Sequence, residues 1–146
     1  MRVLIYGFGA VGLYYGFKFL EAGHGVTYLD PRMEPGETPV VFEDGITGNE
    51  RKRLMRVLSE LPENESFSLL IVTLPGHHID EHIDRIASIS AVRRVMFMGG
   101  YVSGMDRWAD ITGRDKTVFA YPGVSAVLER EEGRVLYCDG EETGSE

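Results

Sequence analysis

The chain opens on an apolar run of strand length, Val3-Leu4-Ile5-Tyr6, which breaks at Gly7 and passes into a helical pattern with Leu13, Phe17 and Leu20 on one face. That pattern predicts a strand over 2–6 and a helix over 10–22, closed by Gly23 as a C-cap glycine. A second strand is predicted over 25–29, ending in Asp30. Pro31, Pro35, Gly36 and Pro39 predict an irregular loop, and Val40–Thr47 reads as a short hairpin around Asp44-Gly45. Residues 51–60 fit either a helix with an Arg/Lys-rich start or a strand on Leu54–Leu58. After a polar connection over 62–66, Ser68–Leu74 reads as a buried parallel strand, because its apolar run is nearly continuous. Ile79, Ile83, Ile86 and Ala87 repeat at helical spacing and predict a helix over 77–89. A strand at 95–98 ends in Gly99-Gly100, followed by a short helix over 105–111 and a strand over 117–121. The last strand, 134–138, follows the charged turn 129–133.

Between the first strand and helix lies Gly7-x-Gly9-x-x-Gly12. Eighteen glycines in 146 residues make that spacing cheap on its own, so the strand-before, helix-after context carries the weight. Gly7 lets the chain turn out of the strand, and Gly9 lets backbone N–H groups approach a pyrophosphate. Gly12 lets the helix lie close on the strand, and Gly16 extends that small-residue stripe. Strands alternating with helices predict an α/β fold: a Rossmann-like doubly wound, mostly parallel sheet with helices on both faces. Residues 1–140 read as one NAD(P)-binding domain, and 141–146 as an acidic tail or linker stub.

An apolar content of 43% suits a globular core. The net charge of −8, without a basic stripe, argues against nucleic acid as a partner. Cys138 is the only cysteine, so no intrachain disulfide can form, which fits a reducing cytoplasm. Glycines break the apolar start, so it does not read as a signal peptide, and Leu69–Val72 is too short to span a bilayer. The expectation is a soluble cytoplasmic protein without membrane contact.

Tyr6–Gly16 and Glu21-Ala22-Gly23-His24-Gly25-Val26-Thr27 resemble the start of ketopantoate reductases (2-dehydropantoate 2-reductases). Leu70–Leu74 resembles the strand before that family's lysine loop, and Gly123–Gly140, with Arg130-x-x-Gly133-x-Val135, the last part of its nucleotide domain. The resemblance covers essentially the whole chain, favours a strand over 51–60, and implies NADPH-dependent reduction of 2-dehydropantoate to pantoate. Three departures matter. The family lysine falls on Pro75 and the family asparagine on Gly99, neither of which can hold cofactor or substrate polar groups. The chain also stops about where the family's helical C-terminal domain, with its catalytic lysine and much of the dimer contact, would begin. The resemblance therefore implies a cofactor-binding half with no catalytic residue of its own, whose exposed edges leave homodimer formation open.

Asp30 stands 18 residues after Gly12 at the end of the second strand, where an acid accepts hydrogen bonds from an adenosine ribose and repels a 2′-phosphate. The family instead places an arginine just after this strand and uses NADPH. Arg32 lies one step beyond that position and fills the role if the loop bends; it reads equally as a solvated loop residue. The family leans the reading to NADP, with NAD kept beside it. The candidate cofactor-binding set is Gly7, Phe8, Gly9, Ala10, Val11, Gly12, Asp30, Arg32, Thr73, Leu74 and Gly99; the bulky Phe8 side chain is able to point away from the ligand.

Other candidates read mainly as structure. His78 and His82 have metal-ligand spacing but no third ligand, so they belong to an exposed helix surface, and no metal is expected. His77 follows the cofactor strand closely enough to approach a nicotinamide. Tyr101 and Ser103 line the open mouth, with Ser103 equally the N-cap of the next helix. Trp108 reads as packing, one of Tyr14 and Tyr15 as core, and Cys138 as a buried strand residue. Two rivals stand beside a reductase-like domain. One is a regulatory NAD(H)-sensing module, like the NAD-binding domains of potassium-transport regulators, favoured by Asp30. The other is a degenerate fold that binds nothing.

Overall fold

In the computed structural model, which describes residues 1–140, a nine-stranded sheet runs in the order β7-β6-β5-β1-β2-β4-β3-β9-β8. The strands are β1 (Arg2–Tyr6), β2 (Gly25–Leu29), β3 (Gly36–Asp44), β4 (Glu50–Leu58), β5 (Phe67–Val72), β6 (Val92–Met98), β7 (Thr117–Ala120), β8 (Ser125–Glu129) and β9 (Arg134–Cys138). Three helices complete it: α1 (Ala10–Glu21), α2 (Gly76–Ser88) and α3 (Met105–Thr112). Pairing is parallel except at β3–β4 and β8–β9. This is the Rossmann-like architecture, and its strand alternation sorts the core onto two faces. Val3 and Ile5 of β1 pack with α1 residues Leu13 and Phe17; Leu4 and Tyr6 pack with α2 residues Ile79, Ile83 and Ile86 and with Trp108 of α3. No helix among the described residues is long and apolar enough to cross a membrane. The acidic stretch 141–146 lies outside the described residues.

The chain builds outward from β1 through β2 and the β4–β3 hairpin, then returns to add β5, β6 and β7 on the other side. The order therefore reverses between β1 and β5, which opens a crevice at their carboxyl ends. Gly23, with φ +87, ends α1, and its amide bonds back to Leu20 at 3.0 Å.

Two sequence expectations are corrected, and one strand was not predicted. Residues 36–39 are strand, not loop: Pro39 pairs with Leu54 of β4. The Val41 amide points to Gly133 beside β9, and Pro39, two residues earlier, faces the same way where β9 has not yet begun. A missing N–H there costs no ladder bond. The hairpin is also longer than Val40–Thr47, with arms 36–44 and 50–58 around a loop that the Asp44 carboxylate holds by accepting from the Ile46 and Thr47 amides. Finally, residues 125–129 form β8, which pairs antiparallel with β9 and packs on α1. Of residues 51–60, the stretch to Leu58 is strand, as the family resemblance favoured.

Candidate functional site

Gly7 leaves β1 with φ +108, a conformation that an L side chain rarely adopts, and its amide bonds to the Leu29 carbonyl at 3.1 Å. A Cβ on Gly12 would stand 2.9 Å from Thr73 Oγ1 and 3.2 Å from Ile5 Cγ2, so the helix reaches this depth only with glycine there. Gly9 opens onto free space and is the N-cap of α1 without a side-chain cap. The first helical bond runs from the Leu13 amide to the Gly9 carbonyl at 2.9 Å. The amides of Ala10, Val11 and Gly12 precede it and make up the partial positive end of the helix dipole.

These residues form one wall of an open cleft of about 330 Å³; Thr73, Leu74, Pro75 and His78 form the facing wall, with Arg32 and Arg130 at the rims. Thr73 is fixed through its hydroxyl, which donates to the Tyr6 carbonyl at 3.3 Å. The Phe8 ring is buried edge-on to Tyr28, with centroids 5.2 Å apart.

Asp30 and Arg32 form one unit. Asp30 is 4% exposed; its Oδ1 accepts from the Arg32 amide at 3.0 Å and Nε at 3.2 Å, and its Oδ2 from Nη2 at 3.1 Å. The Arg32 side chain remains 70% exposed over the cleft. Burial alone would raise the Asp30 carboxyl, but the Arg32 hydrogen bonds and charge, with the Phe8 amide, outweigh it and hold it below the usual carboxylate range. Beside this pair a smaller pocket of about 50 Å³ is lined by Tyr6, Pro31, Leu74, His78 and His82, where the Tyr6 hydroxyl and His82 Nδ1 stand 2.9 Å apart.

The remaining expected residue, Gly99, lies apart from the glycine cleft. Its amide bonds to the Ala120 carbonyl, and a Cβ on it would meet the Tyr101 ring at 2.8 Å. Tyr101 donates to the Leu74 carbonyl at 3.2 Å, and burial pushes its phenol up to about 12. Pro75 is the N-cap of α2, its carbonyl accepting from the His78 and Ile79 amides. Next to it a second cleft of about 450 Å³ is lined by His77, Asp80, Gly100, Tyr101, Ser103 and Arg107.

Ser103 is exposed and does not cap α3; Gly104, with φ +88, takes the N-cap position because its backbone lies in the left-handed region. Trp108 is buried and donates Nε1–H to Asp80 at 2.8 Å, so it packs. Cys138 is exposed rather than buried, since the inward positions of β9 fall on Val135 and Tyr137. Tyr14 is core. Among the described residues no three His, Cys, Asp or Glu side chains converge on a metal-sized site. Sequence reasoning missed Arg130 as a site residue; the signal was the glycine-closed turn in which it sits.

The family model for ketopantoate reductase PanE/ApbA matches residues 3–137. No curated protein matches the chain. Among solved structures, a D-mandelate dehydrogenase in ternary complex with NADH and anilino(oxo)acetate is similar at 18% identity and TM-score 0.73, over 93% of this chain and 45% of that one. The 2-dehydropantoate 2-reductase of Geobacter metallireducens GS-15 is similar at 17% identity and TM-score 0.71, over 94% of this chain and 46% of that one. A probable 2-dehydropantoate 2-reductase, panE of Bacillus subtilis, follows at 22% identity and TM-score 0.69, over 93% and 46%. The chain thus spans less than half the length of each of these structures.

Proposed function

The chain belongs to the ketopantoate reductase PanE/ApbA family, and from that premise we propose that its glycine cleft binds a nicotinamide dinucleotide, NADPH ahead of NADH, and that these 146 residues alone do not reduce 2-dehydropantoate. The cradle fits such a group: the α1 amides are uncapped by any side chain and Gly9 leaves the space before them open. When bound, the cofactor supplies hydride at its nicotinamide ring. The protein's part is to hold the pyrophosphate on the amides of Ala10–Gly12 and to position the adenosine half beside Arg32.

The observation that carries the NADPH preference is the Asp30–Arg32 pair. Both Asp30 oxygens are taken by Arg32, which leaves the carboxylate ill placed to accept from ribose hydroxyls and presents a guanidinium at that rim instead. The absence of turnover rests on Pro75 and Gly99. Pro75 contributes no side-chain donor, and the space beside Gly99 that a longer side chain would need is filled by the Tyr101 ring. Asp30 is also the residue that favours the second reading, an NAD(H)-sensing module, in which Arg32 would swing off the carboxylate.

Calorimetric titration of the chain with NADPH and with NADH, paired with an NADPH-oxidation assay on 2-dehydropantoate, tests this. Tighter NADPH binding without oxidation is expected. Tighter NADH binding with a change in oligomeric state would move the assignment to the sensor. Rapid NADPH oxidation would overturn the claim of inactivity, and no binding of either dinucleotide would overturn the cofactor itself.

A further inference from the structure

The second arginine of the glycine cleft has no place in the reading above. Arg130 lies in the turn between β8 and β9 with Glu131 and Glu132, directly after Glu129 at the end of β8. Despite these neighbours, it has no ion-pair partner among the described residues. Glu132 lies 4.0 Å from Arg134, which also holds Glu43 and Glu50, and its amide donates to the Glu129 carbonyl at 3.2 Å. The turn itself is fixed. Gly133, at φ +61, donates to the Arg130 carbonyl at 3.3 Å and accepts from the Val41 amide at 2.8 Å.

Topology decides what Arg130 faces. β9 is parallel to β3 and therefore antiparallel to β1, and α1, which returns the chain from β1 to the parallel β2, is antiparallel to β1 as well, so α1 and β9 run in the same direction. The turn that precedes β9 therefore sits beside the first turn of α1, where the uncapped amides are, while Arg32 approaches from the end of β2. In a chain with 23 acidic and 15 basic side chains, this cleft is lined by two arginines and no carboxylate. A local cationic site inside a net negative field is what an anionic ligand requires.

Resting on the dinucleotide reading, we propose that Arg130 binds the pyrophosphate of the dinucleotide from the α1 side, dividing the phosphates with Arg32, which takes the 2′-phosphate. The division separates two signatures. A pyrophosphate contact acts on NADPH and NADH alike, whereas a 2′-phosphate contact acts on NADPH alone.

Calorimetry with NADPH and NADH on the native chain, Arg130→Gln, Arg130→Lys and Arg32→Gln reads both. Arg130→Gln should weaken both dinucleotides by a similar factor, about tenfold for one partly exposed charge-assisted contact. Arg130→Lys should recover much of the loss, and Arg32→Gln should weaken NADPH selectively. Melting temperatures equal to the native one confirm that the turn still folds; if Arg130→Gln fails that control, the Lys variant and its comparison with the native chain decide. Binding unchanged in the Arg130 variants, or a loss confined to NADPH, would overturn the assignment while leaving the cofactor reading intact. A native chain that binds neither dinucleotide would overturn both.

Discussion

Replacing Gly16 by alanine should destabilise the protein even though alanine is the better helix former. Gly16 lies in the middle of α1, where a Cβ would stand 1.7 Å from the Tyr28 hydroxyl oxygen and 2.7 Å from Tyr28 Cζ. Tyr28 is fully buried, and its hydroxyl donates to the Gly12 carbonyl at 2.9 Å, so the ring cannot swing into solvent. Overpacking a core by one methyl costs about 1–3 kcal/mol, and losing the tyrosine hydrogen bond about 1 kcal/mol more. Against this, Gly to Ala in a helix interior gains about 1 kcal/mol. The expected net loss is about 2 kcal/mol, or a fall of about 1 M in a urea midpoint for a domain this size. In a Tyr28→Phe background the nearest atom becomes Cζ, and the same substitution should cost about 1 kcal/mol or less, a coupling of about 1 kcal/mol between the two sites. Urea denaturation of the four proteins followed by circular dichroism measures the cycle. A neutral Gly16→Ala, or an equal cost in both backgrounds, would refute the claim that the Tyr28 hydroxyl sets how closely α1, and with it the glycine loop, lies on the sheet.

Three further outcomes are expected. Arg32→Ala should lower NADPH affinity about tenfold or more while leaving NADH nearly unchanged, measured by titration; equal losses for both would remove Arg32 from 2′-phosphate recognition. The Asp30 carboxyl is held below its ordinary value. Its contribution to stability is therefore full above the unfolded value of about 3.9 and lost as pH falls through the lower folded value; Asp30→Asn should flatten that acid limb in pH-dependent urea melts, and an unchanged limb would count against it. Gly99→Asn should displace the Tyr101 ring, costing about 1–3 kcal/mol. The single tryptophan, Trp108, whose ring lies 5.1 Å from that of Tyr101, should report the displacement as altered emission, and native emission with native stability would contradict it.

What could be read from the sequence followed how local each signal was. The β1–glycine–α1 unit is a contiguous change from a strand run to a 3.6-residue period, and both its ends and its glycine geometry are as expected. Strand β3 hid behind Gly36 and Pro39, because proline's tolerance there depends on where β9 begins, almost a hundred residues away. β8 is five residues with only partial burial, and it exists because β9 and α1 flank it. At the site, Asp30 and Arg32 were each legible as candidates, but their mutual pairing required the 30–32 turn. Gly99 was placed by the resemblance to a family that holds an asparagine there, whereas this chain fills the space with Tyr101, two residues on.

The support that β9 lends to α1 sets a time order on folding. Phe17 of the glycine-loop helix stacks on Phe42 at 4.4 Å and meets Tyr137 at 6.1 Å, so the helix completes its core only when residues 134–139 are available. At ordinary synthesis rates those residues follow the glycine loop by roughly 6–25 s. Through that interval the part of α1 that meets Tyr137 waits uncovered on the ribosome-bound chain. Contacts so distant in sequence also slow refolding, which makes the ligand cradle a late product of folding although its residues are translated before those of β9.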